Sequence, residues 1–341
     1  PDSFHRKDII ALGYHGGVVN IIVGSSFATW QFIQKRICGW VSSISFSPDG
    51  QELAIGYERM YLGSEYSKPV VLHLDKSNAL GCSLFRLKEL APGYFEYQLV
   101  DTYFPSEGVT NVMFNPVKPN SLTVCVENGD ITIFDTNKGT HTHFLKLGSG
   151  SGIRDIGYTK DGRGLIVCSD MNGGSLTVYR PSTYSPAITL YEKLQGHSNW
   201  ITGCSASGSQ LLSCSTDGTV MSWVYNDGLF DNIAKLNVKS VTDVPFLIKH
   251  LPDGSKFVVT GTVKSDKFGG KQGIIALYDS SSLKLLGTVI TEDDITCMDM
   301  SSSDGQVRLM TASMTYVGIR PGNAPSDGTL DTWRFISSAT I

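Results

Sequence analysis

Ser213, His197 and Asp217 are the residue types of a hydrolytic triad, and they lie within one short stretch of chain. The chemistry to weigh first is therefore acyl transfer, in which a serine attacks a carbonyl while histidine takes its proton. No Gly-x-Ser-x-Gly elbow is present to raise such a serine into the open. The run Gly148-Ser149-Gly150-Ser151-Gly152 has glycine where the nucleophile would stand. It also misses the Gly-x-Gly-x-x-Gly spacing, because Ile153 occupies the last place, and it reads as a flexible connection. His141-x-His143 has the look of a metal-ligand pair but lacks cysteine or carboxylate support nearby, so it reads as a solvated loop. Glu292-Asp293-Asp294 either serves a hydrolytic site or forms a solvated acidic turn. No catalytic residue, cofactor or metal is expected from these patterns.

The cysteines carry no chemistry of their own either. Cys38, Cys82, Cys125, Cys168, Cys204, Cys214 and Cys297 are scattered, odd in number and without a Cys-x-x-Cys pair. Cys125, Cys168 and Cys214 sit inside apolar runs, where a free thiol behaves as a small hydrophobe. The balance of 28 basic against 32 acidic residues in 341 gives a net charge of −4. That leaves no electrostatic footprint for non-specific nucleic-acid binding, which needs clustered lysine and arginine. A hydrophobic fraction of 41% supplies a packed core, yet no apolar stretch reaches the length of about 18 residues that a membrane helix requires. With no secretory leader at the start and no Asn-x-Ser/Thr sequon, the expected compartment is the cytosol or nucleus. The chain opens at Pro1 rather than methionine, which suggests a piece of something longer.

The elements that must hold these residues are strands. Short runs rich in Val, Ile, Tyr, Phe and Thr recur between glycine turns, and helical periodicity is scarce. Each unit has an apolar strand, a turn such as Ser47-Pro48-Asp49-Gly50 or Pro252-Asp253-Gly254, and a second strand. A tight turn such as Asn128-Gly129 or Asp217-Gly218 then leads to a third strand ending in an aromatic. Asn-Gly and Asp-Gly predict type I′ hairpins, with positive φ at both central residues. First strands anchor at Val41, Val109, Ile153, Ile201, Val241 and Ile295; ahead of them, Asp8–Tyr14, Val18–Val23 and Ala28–Ile33 form one more unit. Seven units result, the shorter spacings close to the roughly 40–45 residues of a propeller blade.

The unit Leu194–Tyr225 carries Gly196-His197, Leu211-Leu212-Ser213, Thr216-Asp217-Gly218-Thr219-Val220 and Trp223, and so resembles a near-complete WD40 repeat. Other units keep the hydrophobic frame without the Gly-His pair. The resemblance implies an all-β, seven-bladed propeller of four-stranded antiparallel blades, the first and last incomplete. The chain would be one domain with blades at about 8–36, 37–104, 105–147, 148–194, 195–236, 237–290 and 291–341. Upstream sequence or a partner would supply the strand that closes the ring. The resemblance also implies a buried hydrogen-bonded chain of Asp217, His197, Ser213 and Trp223, which recasts the apparent triad as a structural tie.

Partner contacts in the family flank the first-strand anchor. Carried over, they are Trp40 and Ser42, Gly108 and Thr110, Gly152 and Arg154, Trp200 and Thr202, Ser240 and Thr242, Asp294 and Thr296. Tryptophan and arginine on one rim match the composition of interface hot spots. Enlarged loops at Glu58–Lys68, Thr262–Gln272 and Met314–Asp327 would project from the same face, while Lys76–Gly93 reads as a solvated insertion after a third strand. The function implied is a non-catalytic scaffold that binds a protein or peptide within a larger assembly. The alternatives are a propeller hydrolase or lactonase using the central channel, and an RNA-binding propeller, the latter disfavoured by net charge.

Overall fold

The computed structural model describes residues 8–13, 18–24, 31–36, 40–58, 81–91, 94–103, 108–147, 152–170, 174–226, 229–264, 271–291, 295–303, 306–313 and 330–334. All regular structure in it is β. Strands β1(Asp8–Gly13), β2(Val18–Gly24) and β3(Gln31–Arg36) make a three-stranded sheet. Four-stranded sheets follow. The first is β4(Trp40–Phe46), β5(Glu52–Glu58), β6(Gly81–Ala91) and β7(Tyr94–Tyr103); the next is β8(Val109–Phe114), β9(Ser121–Val126), β10(Asp130–Asp135) and β11(Thr140–Lys146). The third is β12(Ile153–Tyr158), β13(Leu165–Ser169), β14(Ser175–Pro181) and β15(Ile188–Leu194). The fourth is β16(Ile201–Ser207), β17(Gln210–Ser215), β18(Thr219–Asn226) and β19(Leu229–Asn237). The fifth is β20(Val244–His250), β21(Lys256–Lys264), β22(Lys271–Asp279) and β23(Leu285–Thr291). A three-stranded sheet of β24(Ile295–Ser303), β25(Gln306–Ser313) and β26(Leu330–Arg334) ends the series.

The fold is thus an all-β propeller of four-stranded antiparallel blades, and it has five of them rather than the expected seven. The two remaining sheets pair only three strands among the described residues. Anchor spacing counts how often a strand pattern recurs, not how many strands hydrogen-bond together, so it counted as blades the first and last units, which were expected to be incomplete and which pair three strands each.

Position in the blade sets strand composition. Second strands are buried on both faces and read as continuous apolar runs: β13 is buried at every residue, and β9 and β17 at all but their first. Outer strands β11 and β23 are mostly exposed or half-exposed. The chain forms two compact units, residues 1–153 with 180–189 and residues 154–179 with 190–341. In the first, Leu84 and Cys82 pack on Val109, Val112 and Leu122, and Val19 and Ile21 pack on Leu53 and Ile55. In the second, Ile166 and Leu176 pack on Leu211 and Trp223, Leu212 and Cys214 on Val259, and Val258 and Ile275 on Met298 and Leu309. Each fully buried Leu or Ile contributes about 1.5–3 kcal/mol, which is why one blade needs the next.

Four local expectations are corrected. The Asp-Gly and Asn-Gly turns are not type I′, because Leu283 is the one described non-glycine residue with positive φ. Instead, Gly218 N–H donates to Ser215 O at 3.0 Å with φ +79°, and Gly50 N–H donates to Ser47 O at 2.8 Å with φ +68°. The first is a three-residue loop and the second is longer, and in each glycine takes the left-handed position. Second, within the expected solvated insertion Lys76–Gly93 the described residues Gly81–Ala91 are β6, itself the third strand, paired to β5, with Cys82, Ser83, Leu84 and Phe85 buried. The mixed charges of Arg86, Lys88 and Glu89 hid an alternating strand. Third, β20 begins at Val244 rather than at Val241, which lies in a turn whose N–H donates to Val238 O. Residues 262–264 and 271–272 also extend the β21–β22 ladder, so the loop expected at Thr262–Gln272 is shorter. Residues 59–80 and 314–329, which include the other two enlarged loops, lie outside the described residues.

Candidate functional site

The Ser-His-Asp trio is brought together, and its geometry shows what it does. His197 precedes β16, Ser213 lies on β17, Asp217 in the β17–β18 turn and Trp223 on β18. Trp223 Nε1–H donates to Ser213 Oγ at 3.0 Å, and Ser213 Oγ lies 2.8 Å from His197 Nε2. His197 Nδ1 faces Asp217 Oδ2 at 3.3 Å and Thr219 Oγ1 at 3.1 Å. The donors close on one assignment: the Ser213 hydroxyl donates to Nε2, and Nδ1–H donates toward Asp217. Two participants carried no sequence signal for this role. Ser198 N–H donates to Asp217 Oδ2 at 2.9 Å, and the Thr219 hydroxyl donates to Asp217 Oδ1 at 2.6 Å.

Burial lowers the His197 pKa, with Asp217 opposing it. Burial would raise the Asp217 carboxyl, but the Thr219 hydroxyl, the Ser198 N–H and His197 together hold it below the usual range. Ser213 is wholly buried and its oxygen already accepts from Trp223, so no substrate carbonyl can reach it. The cluster staples the entry of β16 to the β17–β18 turn.

A second histidine network has no sequence motif. His250, at the end of β20, donates its N–H to Ser205 Oγ on β16 at 2.9 Å. Its Nδ1 lies 3.1 Å from that hydroxyl, and its Nε2 lies 3.2 Å from Gln210 Oε1 on β17. Gln210 Nε2 in turn donates to Ser222 Oγ at 2.8 Å and to Ser280 O at 3.1 Å. Every link is satisfied with a neutral ring, and burial holds His250 down to about 4. The network locks the fourth four-stranded blade to the fifth. Asp155 on β12 is a third such tie, accepting from Cys204 N on β16 at 2.9 Å and from Ile156 N at 2.9 Å; burial raises its carboxyl to about 6. A fourth lies in the other unit. Buried Glu52 takes Arg86 Nε at 3.0 Å on Oε1 and Thr136 Oγ1 at 2.6 Å on Oε2.

The partner-contact candidates divide by what their side chains already do. Thr242 is buried and donates to Val244 O or Thr262 O, which makes it a turn brace rather than a contact. Its displacement follows from the late start of β20. The Thr202 hydroxyl is directed to Pro245 O at 3.0 Å, Ser42 Oγ donates to Val109 O, and Thr110 Oγ1 lies 3.4 Å from Cys125 O. Thr296 is exposed on β24. Trp40 begins β4, its side chain outside the described residues, as is Asp294 altogether. His143 is not solvated: its Nε2 lies 2.8 Å from Ser182 O and its Nδ1 3.0 Å from Thr142 Oγ1.

Arg154 and Trp200 stand apart from the rest. The Trp200 residue is 48% exposed, and the Arg154 guanidinium sits 5.4 Å from its ring centroid. Arg154 Nη2 donates to Asp170 at 2.9 Å, which holds the guanidinium over the indole. The backbone beneath is clamped. Trp200 O accepts from Thr216 N at 2.9 Å, Asn199 O accepts from Ser215 Oγ at 3.0 Å, and Gly174 packs so closely that a Cβ there would lie 2.1 Å from Asn199 O. An exposed aromatic and a cation are therefore presented on a rigid support.

Residues 188–223 match the family model described as WD domain, G-beta repeat. No curated protein matches the chain. The matched segment runs from β15 to Trp223 and contains both the His197 staple and Trp200. The chain is accordingly an all-β propeller in which residues 188–223 match a WD40 repeat.

Proposed function

We propose that the chain is a non-catalytic scaffold that binds a protein or peptide within a larger assembly, with Arg154 and Trp200 as the anchor of the contact. Propellers of this family commonly serve protein interaction, and a fold alone does not assign a role, so the reading rests on a site. The observation that carries it is the half-exposed Trp200 indole, capped by Arg154 over a clamped backbone. Such a pair loses little conformational entropy on binding, and tryptophan and arginine dominate the energetics of interfaces.

The test is quantitative affinity capture from native extract with the parent, Trp200→Ala, Arg154→Ala and a remote surface control, Lys160→Ala. Loss of the same partners from both rim variants, and from neither the parent nor the control, is expected. Each variant must keep the parent's melting temperature. An unchanged partner set in both rim variants refutes the site.

A further inference from the structure

Five outer strands close the four-stranded blades, and one differs from the rest. Strand β7 carries Glu96 and Asp101, β11 carries Lys146, β15 carries Glu192 and Lys193, and β19 carries Asp231 and Lys235. Strand β23, with sequence Leu-Leu-Gly-Thr-Val-Ile-Thr, has neither a charged residue nor a proline. Natural sheet edges are guarded by charge, proline or bulges because an open row of N–H and C=O groups templates another strand. Strand β23 pairs only with β22 among the described residues, and its bulge falls near its start, leaving Gly287–Thr291 in regular register. Along it Leu285, Leu286, Val289 and Ile290 are 45%, 51%, 40% and 59% exposed, and a Cβ built at Gly287 would meet nothing within 4 Å.

We propose that β23 is a self-association edge, paired antiparallel with β23 of a second copy of this chain across a twofold axis at Val289. The strand is complementary to itself. That register sets Val289 against its counterpart, Thr288 against Ile290 and Gly287 against Thr291. Directly opposed side-chain pairs of this kind are the unit by which neighbouring strands stabilise one another. In sequence the strand is bounded by Lys284 before it and Glu292-Asp293-Asp294 after it, opposite signs that an antiparallel pairing brings end to end. A partner strand bearing charges would have to desolvate them against four aliphatic side chains; a second β23 does not. The inference is independent of the Arg154–Trp200 reading.

Sedimentation equilibrium of the full chain over a range of concentration tests it. A concentration-dependent dimer is expected, in about the micromolar range because the contact is small. Val289→Lys and Val289→Glu should each weaken it at least tenfold, and an equimolar mixture of the two should associate again because opposite charges then meet at the axis. Thr288→Lys, at an exposed residue, is the second variant should substitution at Val289 disturb folding. A parent that stays monomeric throughout, or a dimer unchanged by Thr288→Lys in a protein with the parent's circular dichroism, overturns the proposal.

Discussion

Replacing His250 by glutamine should remove a defined acid sensitivity from the propeller. In the folded chain burial disfavours the His250 cation and holds the group at about 4 against an ordinary 6.5, and Ser205 and Gln210 partner both nitrogens of the neutral ring. An unfolded chain therefore takes up this proton as pH falls below 6.5, while the folded chain does not until about 4. The associated stability is fully present above 6.5, declines on acidification and is exhausted near pH 4. At about 1.4 kcal/mol per pKa unit, the depression corresponds to roughly 3 kcal/mol. Asp155 titrates in the opposite sense. Raised to about 6 from 3.8, it contributes stability that is present below 3.8 and lost as pH rises through 6. The parent curve alone consequently mixes two opposing slopes. The informative quantity is the stability difference between parent and His250→Gln, measured by urea unfolding through tryptophan emission at several pH values. That difference should shrink by about 3 kcal/mol between pH 7 and pH 4. A difference constant to within about 0.5 kcal/mol over that interval would refute the buried neutral imidazole, since a group with equal pKa in both states contributes no slope.

Ser213→Ala should cost about 2 kcal/mol in urea unfolding, because it strands the Trp223 N–H and His197 Nε2 in a buried site. Gly174→Ala meets Asn199 O and carries a φ of +116°, so it should shift the Trp200 backbone and weaken partner capture in step with Trp200→Ala. Glu52→Ala should destabilise its unit by about 1–3 kcal/mol, leaving the Thr136 hydroxyl and Arg86 without their acceptor; thermal melts read the loss. Asp155→Asn should make the fall in stability between pH 6 and pH 4 steeper than the parent's, because it deletes the opposing titration; parallel urea melts decide this.

Much of the site was legible where a motif fixes side chains to one turn. Gly196-His197 and Thr216-Asp217-Gly218 lie at the two ends of a single blade's first hairpin, and the resemblance of that unit to a WD40 repeat implied that His197 and Asp217 meet. The His250 network was illegible for the opposite reason. Its members come from β16, β17, β18, β20 and the turn after β22, and nothing in their types distinguishes them from ordinary polar strand residues. The first strand of the fifth four-stranded blade was misplaced because Val238, Val241 and Val244 all suit a strand start, and only the turn hydrogen bonds select Val244.

The amino-acid order by itself determined the strand-turn-strand rhythm, since apolar runs and glycine turns act over a few residues and need no distant partner. It also determined which residue types a WD40 repeat brings to one blade. Only the tertiary structure decided how many strands each sheet pairs, which threonines face inward, and that Arg86 answers a buried Glu52. Those outcomes depend on which faces are covered when one blade packs on the next, a contest settled by burial and hydrogen-bond satisfaction across tens of residues.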